Sequence, residues 1–387
     1  MDKIKKTLTD LEANDLYRRL MCVDSAQGAS VKVSGKEYLL LSSNNYLGLA
    51  ANDRVVNAAK ESLDKYGFGS GASRLVSGTM SPHAALEQVI ADYKGTEAAI
   101  LFNSGYGANI GLISALTDKN DIIFSDKLNH ASIVDAAIMS HATVKRYPHK
   151  DMAALERFLK EAAGYANRII VTDGVFSMDG DIAPLHDIVA LAKKYDATVI
   201  VDDAHATGVL GESGKGTLAH LGINSGNIIQ MGTLSKALGC FGAFVACKRD
   251  FVEYLINKSR SFIYTTALPP STASAAIEAI RIARADDTLR ERLFENVAYL
   301  RDKMINAGFN ILNSETHIIP LIVGDAKEAV DMSRYLFERG IFIQAIRPPT
   351  VPKGMSRLRI TPTALHTKEQ LGYVFDRLKE FREEQDG

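Results

Sequence analysis

Short, unbroken apolar runs recur along the first two thirds of the chain, and segments with helical spacing separate them. The runs consist mainly of Ile, Val, Leu and Ala, a composition typical of strands that are buried on both faces. They are Ala98–Phe102, Ile122–Ser125, Thr143–Tyr147, Ile169–Thr172, Thr198–Asp202, Ile228–Met231 and Ala243–Ala246. The alternation predicts an α/β fold with a mostly parallel central sheet and helices on both faces.

Other segments predict further helices and strands on either side of this region. Residues 1–22 have apolar side chains near helical spacing, and 54–66 also reads as a helix. Ser81 and Pro82 are expected as the cap and the first residue of a helix that runs to about Lys94. A short β segment is expected at residues 31–41.

The rhythm changes near Pro269 and Pro270, where a long helical region over 271–307 begins. Shorter strands and helices follow it: strands at 318–323, 341–345 and 357–360, a helix at 326–339 and a final helix through Phe381. We therefore expect three regions: an N-terminal helix with a β segment (1–45), a large α/β domain (46–270) and a small C-terminal α+β domain (271–387).

Composition and charge exclude several classes of function. The chain has 387 residues with 45 Lys and Arg against 46 Asp and Glu, so a net charge of −1 gives no reason to expect nucleic acid or a membrane as partner. The three cysteines form no CxxC pair and no HExxH occurs, so no metal is expected. Without an apolar signal region or a run of about 18 apolar residues, the expected location is the cytoplasm.

Two glycine-rich segments resemble nucleotide-binding loops without meeting their requirements. Gly208–Thr217 has five residues between Gly208 and Gly214, and a glycine follows Lys215 where a Walker A loop needs Ser or Thr. Gly67–Ala72 follows a helical pattern instead of a strand, so the context of a dinucleotide fingerprint fails. An NTPase is therefore not expected, and Gly67–Ala72 is interpreted as a flexible or tightly turned loop.

Polar residues directly after three predicted strands carry the candidate chemistry. Asn103–Asn109 opens a helix, whose first N–H groups favour an anion. Asp202 and Asp203 end a strand, where a carboxylate could be a helix cap, a metal ligand or the partner of a cationic ring nitrogen. Lys236 lies among small residues, where desolvation would suit it to form an imine.

The order Asp, His three residues later and Lys about thirty residues on suits pyridoxal 5′-phosphate (PLP). The lysine would hold the aldehyde, the aspartate would pair with the pyridine nitrogen, and the helix that starts near Gly105 would take the phosphate. Tyr106 could lie near the aromatic ring.

Longer motifs make the chain similar to the α-oxoamine synthases, which are fold-type-I PLP enzymes that condense an amino acid with an acyl thioester and release CO2. The resemblance covers nearly the whole chain. It rests on Leu41–Gly48, Gly69–Gly78, His130–Ser132, Phe176–Asp181, Asp202–His205, Thr233–Lys236 and Tyr264–Pro269.

The resemblance implies a role for each matched residue of the cofactor site. Lys236 would be the imine lysine and the base, Asp202 the pyridine partner in preference to Asp203, and His205 the contact of the phenolic oxygen. His130 would stack on the ring and position the substrate. The remaining cofactor residues implied are Gly105, Tyr106, Ser177 and Thr233, with Thr265 or Thr266 reaching a partner subunit's phosphate.

The resemblance also implies substrates and partners. Arg347 would bind the amino-acid carboxylate, Arg18 the acyl substrate, and Thr350 and Asn44 would contact substrate. The segments Arg347–Pro352 and Asp202–Glu212 look most like members that use L-alanine and a pimeloyl thioester, carried by coenzyme A or acyl carrier protein. Ala206 departs from the glycine that many members have there.

Three alternatives stay open beside this interpretation. The chain could use glycine with acetyl-CoA or serine with a long acyl-CoA, or it could be an aminotransferase or lyase. A non-catalytic partner subunit would be expected to lack the lysine that is present as Lys236. A homodimer is expected from the family alone.

Overall fold

The structure is a computed structural model, and it describes residues 2–386. The α-helices in chain order are α1 (Asp2–Ala13), α2 (Asp53–Tyr66), α3 (Ser81–Lys94), α4 (Gly105–Leu116), α5 (Ala131–Met139), α6 (Met152–Glu161), α7 (Leu185–Lys194), α8 (Thr217–His220), α9 (Arg249–Lys258), α10 (Arg260–Ile263), α11 (Pro270–Ala285), α12 (Thr288–Asn306), α13 (Ala326–Glu338) and α14 (Lys368–Asp386). Short 3₁₀ turns occupy Leu49–Ala51 and Glu212–Gly214, and a π turn occupies Arg74–Gly78.

The strands are β1 (Ser30–Val33), β2 (Lys36–Leu40), β3 (Ala98–Phe102), β4 (Ile122–Asp126), β5 (Thr143–Tyr147), β6 (Arg168–Asp173), β7 (Thr198–Asp202), β8 (Ile228–Thr233), β9 (Ala243–Cys247), β10 (Ile319–Gly324), β11 (Ile341–Phe342), β12 (Ala345–Ile346) and β13 (Ser356–Ile360). Each unbroken apolar run predicted as a strand is one, and the bounds differ by at most two residues.

The chain divides into two compact units. The large unit holds Asn52–Phe176 and Ile182–Asp287. The small unit holds the residues up to Ala51, Ser177–Asp181 and those from Thr288 onward. The expected regions differ from this division, because α11 packs against α2 and α3 of the large unit rather than opening the C-terminal domain. Residues 1 and 387, the outer limits of the expected regions, lie outside the described residues.

A seven-stranded sheet in the order β3-β9-β8-β7-β6-β4-β5 forms the centre of the large unit. Strand β9 runs antiparallel to both of its neighbours, β3 and β8. The remaining adjacent pairs are parallel, namely β5 with β4, β4 with β6, β6 with β7 and β7 with β8. Apolar clusters cover both faces of the sheet, one containing residues of α4, α5 and α9 and the other residues of α6 and α7. These buried faces explain why the strands lack an alternating pattern.

The register of the parallel strands brings their carboxyl ends to one edge of the sheet. Asp173 ends β6 and is the direct partner of Asp202, which ends β7. Since ligands of open α/β sheets bind beyond this edge, the polar residues that follow β3, β7 and β8 are placed where chemistry is expected.

Two three-stranded sheets belong to the small unit, in the orders β1-β2-β11 and β10-β13-β12. Strands β1 and β2 are joined by Ser34 and Gly35, whose φ angles of 49° and 75° are those of a tight hairpin turn. The single strand expected at 341–345 is wrong, because the chain forms two short strands here, β11 and β12, that belong to different sheets.

Three helix predictions need correction. The helix expected over 1–22 ends at Ala13, because Asp15 adopts a φ of 54° and the N–H of Leu16 returns to the carbonyl of Leu11 at 2.8 Å. Ser81 is the first residue of α3 and Met80 is its cap. The region 271–307 is two helices, α11 and α12, separated after Ala285.

The glycine-rich segment Gly208–Thr217 after β7 contains tight turns. Gly208 and Gly216 have φ angles of 88° and 111°, which favour glycine. A Cβ on Gly216 would collide with the carboxylate of Asp203. Backbone conformation and limited space therefore explain why these positions are glycine, and no phosphate-binding role is needed to explain them.

Candidate functional site

The two adjacent aspartates at the end of β7 have different surroundings. Asp203 forms an ion pair of 2.7 Å with Lys94 and accepts hydrogen bonds from Thr217, and both charged side chains are almost completely buried. Asp202 accepts from the N–H of Ala204 at 3.0 Å and from the amide of Asn109 at 2.8 Å. Asp203 is therefore neutralised by a lysine, whereas Asp202 accepts from two neutral donors.

Lys236 and His205 meet beyond the ends of β8 and β7. The Nζ atom of Lys236 lies 2.8 Å from Nε2 of His205, so the two residues that follow different strands form one polar contact. His205 is buried and Lys236 is half-buried in the loop after Thr233. The structure thus brings the predicted lysine and histidine together.

His130 caps the N-terminus of α5 with its own ring. Its Nδ1 atom accepts from the N–H of Ser132 at 3.3 Å and lies 2.8 Å from the Ser132 hydroxyl. The N–H of His130 donates to Asp173 at 2.7 Å. Desolvation lowers the pKa of the His130 ring, although part of the side chain is exposed.

Asp173 is a buried carboxyl that the sequence analysis does not single out. Desolvation, followed by the negative charge of Asp202, raises its pKa well above the usual range. Two carboxyls on neighbouring strand ends repel each other when both are ionised. A cationic group bound beside Asp202 would relieve that repulsion. The motif Phe176–Asp181 begins only after this residue, which is why Asp173 was missed.

The start of α4 provides the expected anion site. Ser104 caps the helix by accepting from the N–H of Gly107 at 3.0 Å. The N–H groups of Gly105 and Tyr106 lie in the first turn of α4, where the helix provides no preceding carbonyl to accept from them. They therefore remain available to a ligand. The Tyr106 hydroxyl donates to Asp135 at 2.7 Å, which orients its half-exposed ring.

Thr233 is buried at the end of β8, and its hydroxyl donates to the carbonyl of Gly242 at 2.9 Å. The hydroxyl of Ser235 lies 2.7 Å from that of Thr233 and is more exposed. Ser235 is therefore a second hydroxyl candidate for a phosphate contact. It lies within the motif that predicts Lys236 and could have been proposed from the sequence.

In the small unit, three of the predicted substrate residues form one group. The guanidinium of Arg18 lies 3.5 Å from the Thr350 hydroxyl. Arg347 donates to the carbonyl oxygens of Asp15 and, at 3.4 Å, of Tyr17. Burial and the nearby charge of Arg18 lower the pKa of Arg347. Two guanidinium groups held close together favour an anionic ligand such as a carboxylate.

Asn44, also in the small unit, belongs to a separate group around Arg359. Arg359 is 7% exposed and donates to Oδ1 of Asn44 at 3.1 Å, to the Tyr46 hydroxyl at 3.1 Å and to the carbonyl of Ser177 at 2.6 Å. Tyr46 donates to the same Asn44 oxygen at 2.9 Å. The Asn44 oxygen is therefore already engaged, so a contact of Asn44 with a ligand would come from its amide nitrogen. Arg359 was missed because buried arginines within strands have no sequence signal of their own.

The large-unit residues have the chemistry that PLP requires. Lys236 supplies an amine, and the His205 ring lies within hydrogen-bond distance of it. Asp202 is a buried carboxylate that accepts from neutral donors, which suits a protonated pyridine nitrogen. The α4 N-terminus suits a phosphate. The residues therefore fit the cofactor that the motifs predict.

Comparison with known proteins identifies the family. The model of the aminotransferase class I and II family matches residues 36–378, and the chain belongs to this family. A curated relative from Citrifermentans bemidjiense, named 8-amino-7-oxononanoate synthase, is 52% identical over 373 residues, which is 96% of each chain.

Solved structures give the same fold. Serine palmitoyltransferase from S. paucimobilis with a bound PLP–myriocin aldimine has a TM-score of 0.93 at 33% identity, covering 98% of this chain and 96% of that one. The 8-amino-7-oxononanoate synthase of Francisella tularensis has a TM-score of 0.78 at 29% identity, covering 90% of this chain and 99% of that one.

These similarities confirm the predicted fold-type-I architecture and the resemblance to the α-oxoamine synthases. Among the described residues, no helix combines the length and apolarity needed to cross a bilayer.

Proposed function

We propose that the chain is a PLP-dependent C-acyltransferase that condenses L-alanine with a pimeloyl thioester, releasing 8-amino-7-oxononanoate, CO2 and a free thiol in biotin biosynthesis. The observation that carries the proposal is 52% identity over almost the full length to a relative of that name. The arrangement of Asp202, His205 and Lys236 in the large unit supports the chemistry.

Each cofactor-site residue has a task that follows from its position. When bound, PLP supplies an electron sink for the charge that develops at the amino-acid Cα. Lys236 would hold the cofactor through Nζ and, once freed, would take the Cα proton on the same atom. The carboxylate of Asp202 would keep the pyridine nitrogen protonated, and His205 would contact the phenolic oxygen. His130 would lie against the ring.

Polar groups around the phosphate complete the proposed cofactor site. The N–H groups of Gly105 and Tyr106 bind it at the positive end of α4. Thr233 and Ser235 place hydroxyl oxygens 2.7 Å apart just before Lys236, which supports a contact from this turn. Ser177, in the small unit, is proposed as a further polar contact, as the family resemblance implies.

The small-unit residues are proposed to bind the substrates. Arg347 binds the alanine carboxylate through its guanidinium fork, and Arg18 with Thr350 binds the acyl substrate. Their proximity and positive charge support this assignment. Asn44 contributes a donor, because its oxygen is already held by Arg359 and Tyr46.

We also propose a cytoplasmic homodimer that takes its acyl group from coenzyme A or from acyl carrier protein. Exposed large apolar side chains of the large unit, including Phe68 and Val76 at 81% and Tyr264 at 71%, support a protein interface. Phe68 precedes the motif Gly69–Gly78, Val76 lies within it, and Tyr264 precedes the Thr265–Thr266 pair. The family resemblance implies that this pair contacts the phosphate of the partner's site.

One competing function has an observation in its favour. The TM-score of 0.93 to serine palmitoyltransferase exceeds the 0.78 to the Francisella tularensis 8-amino-7-oxononanoate synthase. The fold alone would therefore suit serine and a long acyl thioester equally well. The sequence identity, 52% against 33%, favours alanine and pimeloyl thioester.

The test is thiol release by the PLP-loaded protein from pimeloyl-CoA, with L-alanine, glycine and L-serine compared in parallel. Release with alanine, with the product identified by mass, is expected. A Lys236→Ala protein is the matched control for background hydrolysis. Release only with glycine and acetyl-CoA, or with serine and palmitoyl-CoA, would transfer the assignment to that reaction. No release from pimeloyl-CoA or from pimeloyl-acyl carrier protein would contradict the proposal.

A further inference from the structure

A chain of hydrogen bonds joins the carboxylate of Asp202 to the ring of His130 inside the large unit. The amide nitrogen of Asn109 lies 2.8 Å from Oδ2 of Asp202 and 2.8 Å from the hydroxyl of Ser132. That hydroxyl lies 2.8 Å from Nδ1 of His130. Asn109 and Ser132 are buried, with exposures of 0% and 1%. We call these four residues the polar chain.

The direction of every bond in the polar chain is fixed by its chemistry. A carboxylate only accepts, so the group of Asn109 that faces Asp202 must be its NH2 and not its oxygen. The same NH2 donates its second proton to the Ser132 hydroxyl oxygen. That oxygen keeps a second lone pair, so the hydroxyl could either donate its own proton to Nδ1 of His130 or accept from it.

A second donor reaches the same ring nitrogen. The backbone N–H of Ser132 points at Nδ1 of His130 at 3.3 Å, and a backbone N–H cannot accept. Nδ1 therefore accepts from this N–H and carries no proton, so the Ser132 hydroxyl donates to it as well. The neutral ring must then have its proton on Nε2.

We propose that Asn109 and Ser132 are positioning residues that fix His130 as the Nε2–H tautomer and tie its ring to the carboxylate of Asp202. The proposal rests on the proposed function, which gives His130 and Asp202 their places beside one ligand. One amide group thus orients both the acid that would pair with the pyridine nitrogen and the ring that would stack above it.

The fixed tautomer decides what His130 can offer. No described residue provides a hydrogen-bond partner for its Nε2, so this nitrogen faces solvent or a ligand as an N–H donor. It can hold a carbonyl or carboxylate oxygen of the substrate, but it cannot take a proton from it. Desolvation lowers the pKa of the His130 ring, which agrees with a neutral imidazole.

The experiment is an NMR measurement of the histidine ring nitrogens in the full-length, isotope-labelled protein, with and without PLP. The His130 signals are assigned by their disappearance in His130→Asn. We expect a bare Nδ1 and a protonated Nε2 in both forms. Ser132→Ala should shift the Nδ1 signal, because it removes the hydroxyl donor and leaves only the backbone N–H of residue 132, and Ser132→Thr, which restores the hydroxyl, should reverse the change.

Ser140→Ala is the matched control. Ser140 is a buried serine that follows the same helix, and its hydroxyl bonds the carbonyl of Ala137 at 2.7 Å, outside the polar chain. Ser140→Ala removes a buried hydroxyl near the same helix without touching the polar chain, so it should leave the His130 signals unchanged. In the condensation assay, Ser132→Ala should lower kcat/KM roughly 10-fold, the loss of about one hydrogen bond, and Ser132→Thr should recover it.

A wild-type His130 protonated on Nδ1 would overturn the proposal, as would an unchanged His130 spectrum in Ser132→Ala. If Ser132→Ala fails to fold, Ser132→Cys, which replaces the hydroxyl with a weaker thiol donor, must shift the Nδ1 signal in the same direction. The NMR result is obtained without substrate. A wild type with the expected tautomer but no thiol release would therefore contradict the proposed function and leave this inference standing.

Discussion

The two units of the protein differ in how they hold their candidate site residues. In the large unit these residues follow the carboxyl ends of buried parallel strands, and their polar atoms meet at hydrogen-bond distances, as between Lys236 and His205 at 2.8 Å. In the small unit the candidates lie in loops and at the ends of short strands, and backbone carbonyls engage Arg347. Regular structure fixes the first group, whereas chain-specific contacts fix the second.

The largest expected effect tests the large unit. Lys236→Ala should lower turnover more than roughly 1000-fold, because the residue serves as both anchor and base. Turnover is measured as thiol release, and covalent PLP is measured by borohydride reduction and mass spectrometry. Lys215→Ala, which removes an exposed ion pair in the same unit, is the control and should retain both. Covalent PLP retained in Lys236→Ala would place the imine on another lysine.

The neighbouring aspartates give the next largest effect and should separate chemistry from stability. Asp202→Asn should lower kcat roughly 100-fold or more with little change in the free energy of unfolding, because it removes the charge that pairs with the pyridine nitrogen. Asp203→Asn should lower the free energy of unfolding by about 3–5 kcal/mol, because it leaves Lys94 buried without its partner.

Both quantities are measured for each variant, by thiol release and by denaturant unfolding, so each aspartate is the control for the other. The opposite pattern, with Asp203→Asn inactive but stable, would make Asp203 the pyridine partner and contradict the assignment.

The same contrast explains what could be read from the sequence. The seven-stranded sheet and the positions of Lys236, Asp202 and His205 follow from unbroken apolar runs and from polar residues placed directly after them. These signals come from residues that are close together in the sequence, so they can be recognised without the structure. The break between α11 and α12 and the end of α1 at Ala13 depend on single backbone conformations, which spacing does not reveal.

Residues that act through long-range partners could not be found in this way. Arg359 donates a hydrogen bond to Asn44, more than three hundred positions away in the chain. Asn109 of α4 donates one to Asp202 at the end of β7. Each is an ordinary residue in its own segment, and only tertiary packing shows its partner. The family resemblance named the residues that touch ligands, and the structure adds those that hold them in place.

A smaller effect should sharpen the assignment in the small unit. Arg347→Lys should raise KM for alanine roughly 10- to 100-fold with less effect on kcat, because an ammonium replaces a fork that makes two hydrogen bonds. Arg359→Lys is the matched variant, since it removes a second guanidinium from the same unit and loosens Asn44. If Arg359→Lys raises KM for alanine and Arg347→Lys does not, the carboxylate role belongs to Arg359.

The smallest effect concerns the pH dependence of the small unit. Burial lowers the pKa of His366 to about 4, and its Nδ1 accepts from the N–H of Thr363 at 2.9 Å, so the folded state keeps the ring neutral. Below the unfolded pKa of about 6.5 the unfolded chain binds a proton that the folded chain does not, and stability falls as the pH decreases towards about 4. Acidification to about pH 5 should therefore lower the free energy of unfolding by about 2 kcal/mol.

Denaturant unfolding followed across that pH range measures the loss. His366→Asn should flatten the profile, because the amide oxygen can accept from Thr363 but does not titrate. His186→Gln, at an exposed histidine of the large unit, should leave the profile as it is in the wild type. A profile that stays steep in His366→Asn would show that the acid sensitivity comes from other groups. The two units would then differ in how they hold their site residues, and not in how their stability depends on pH.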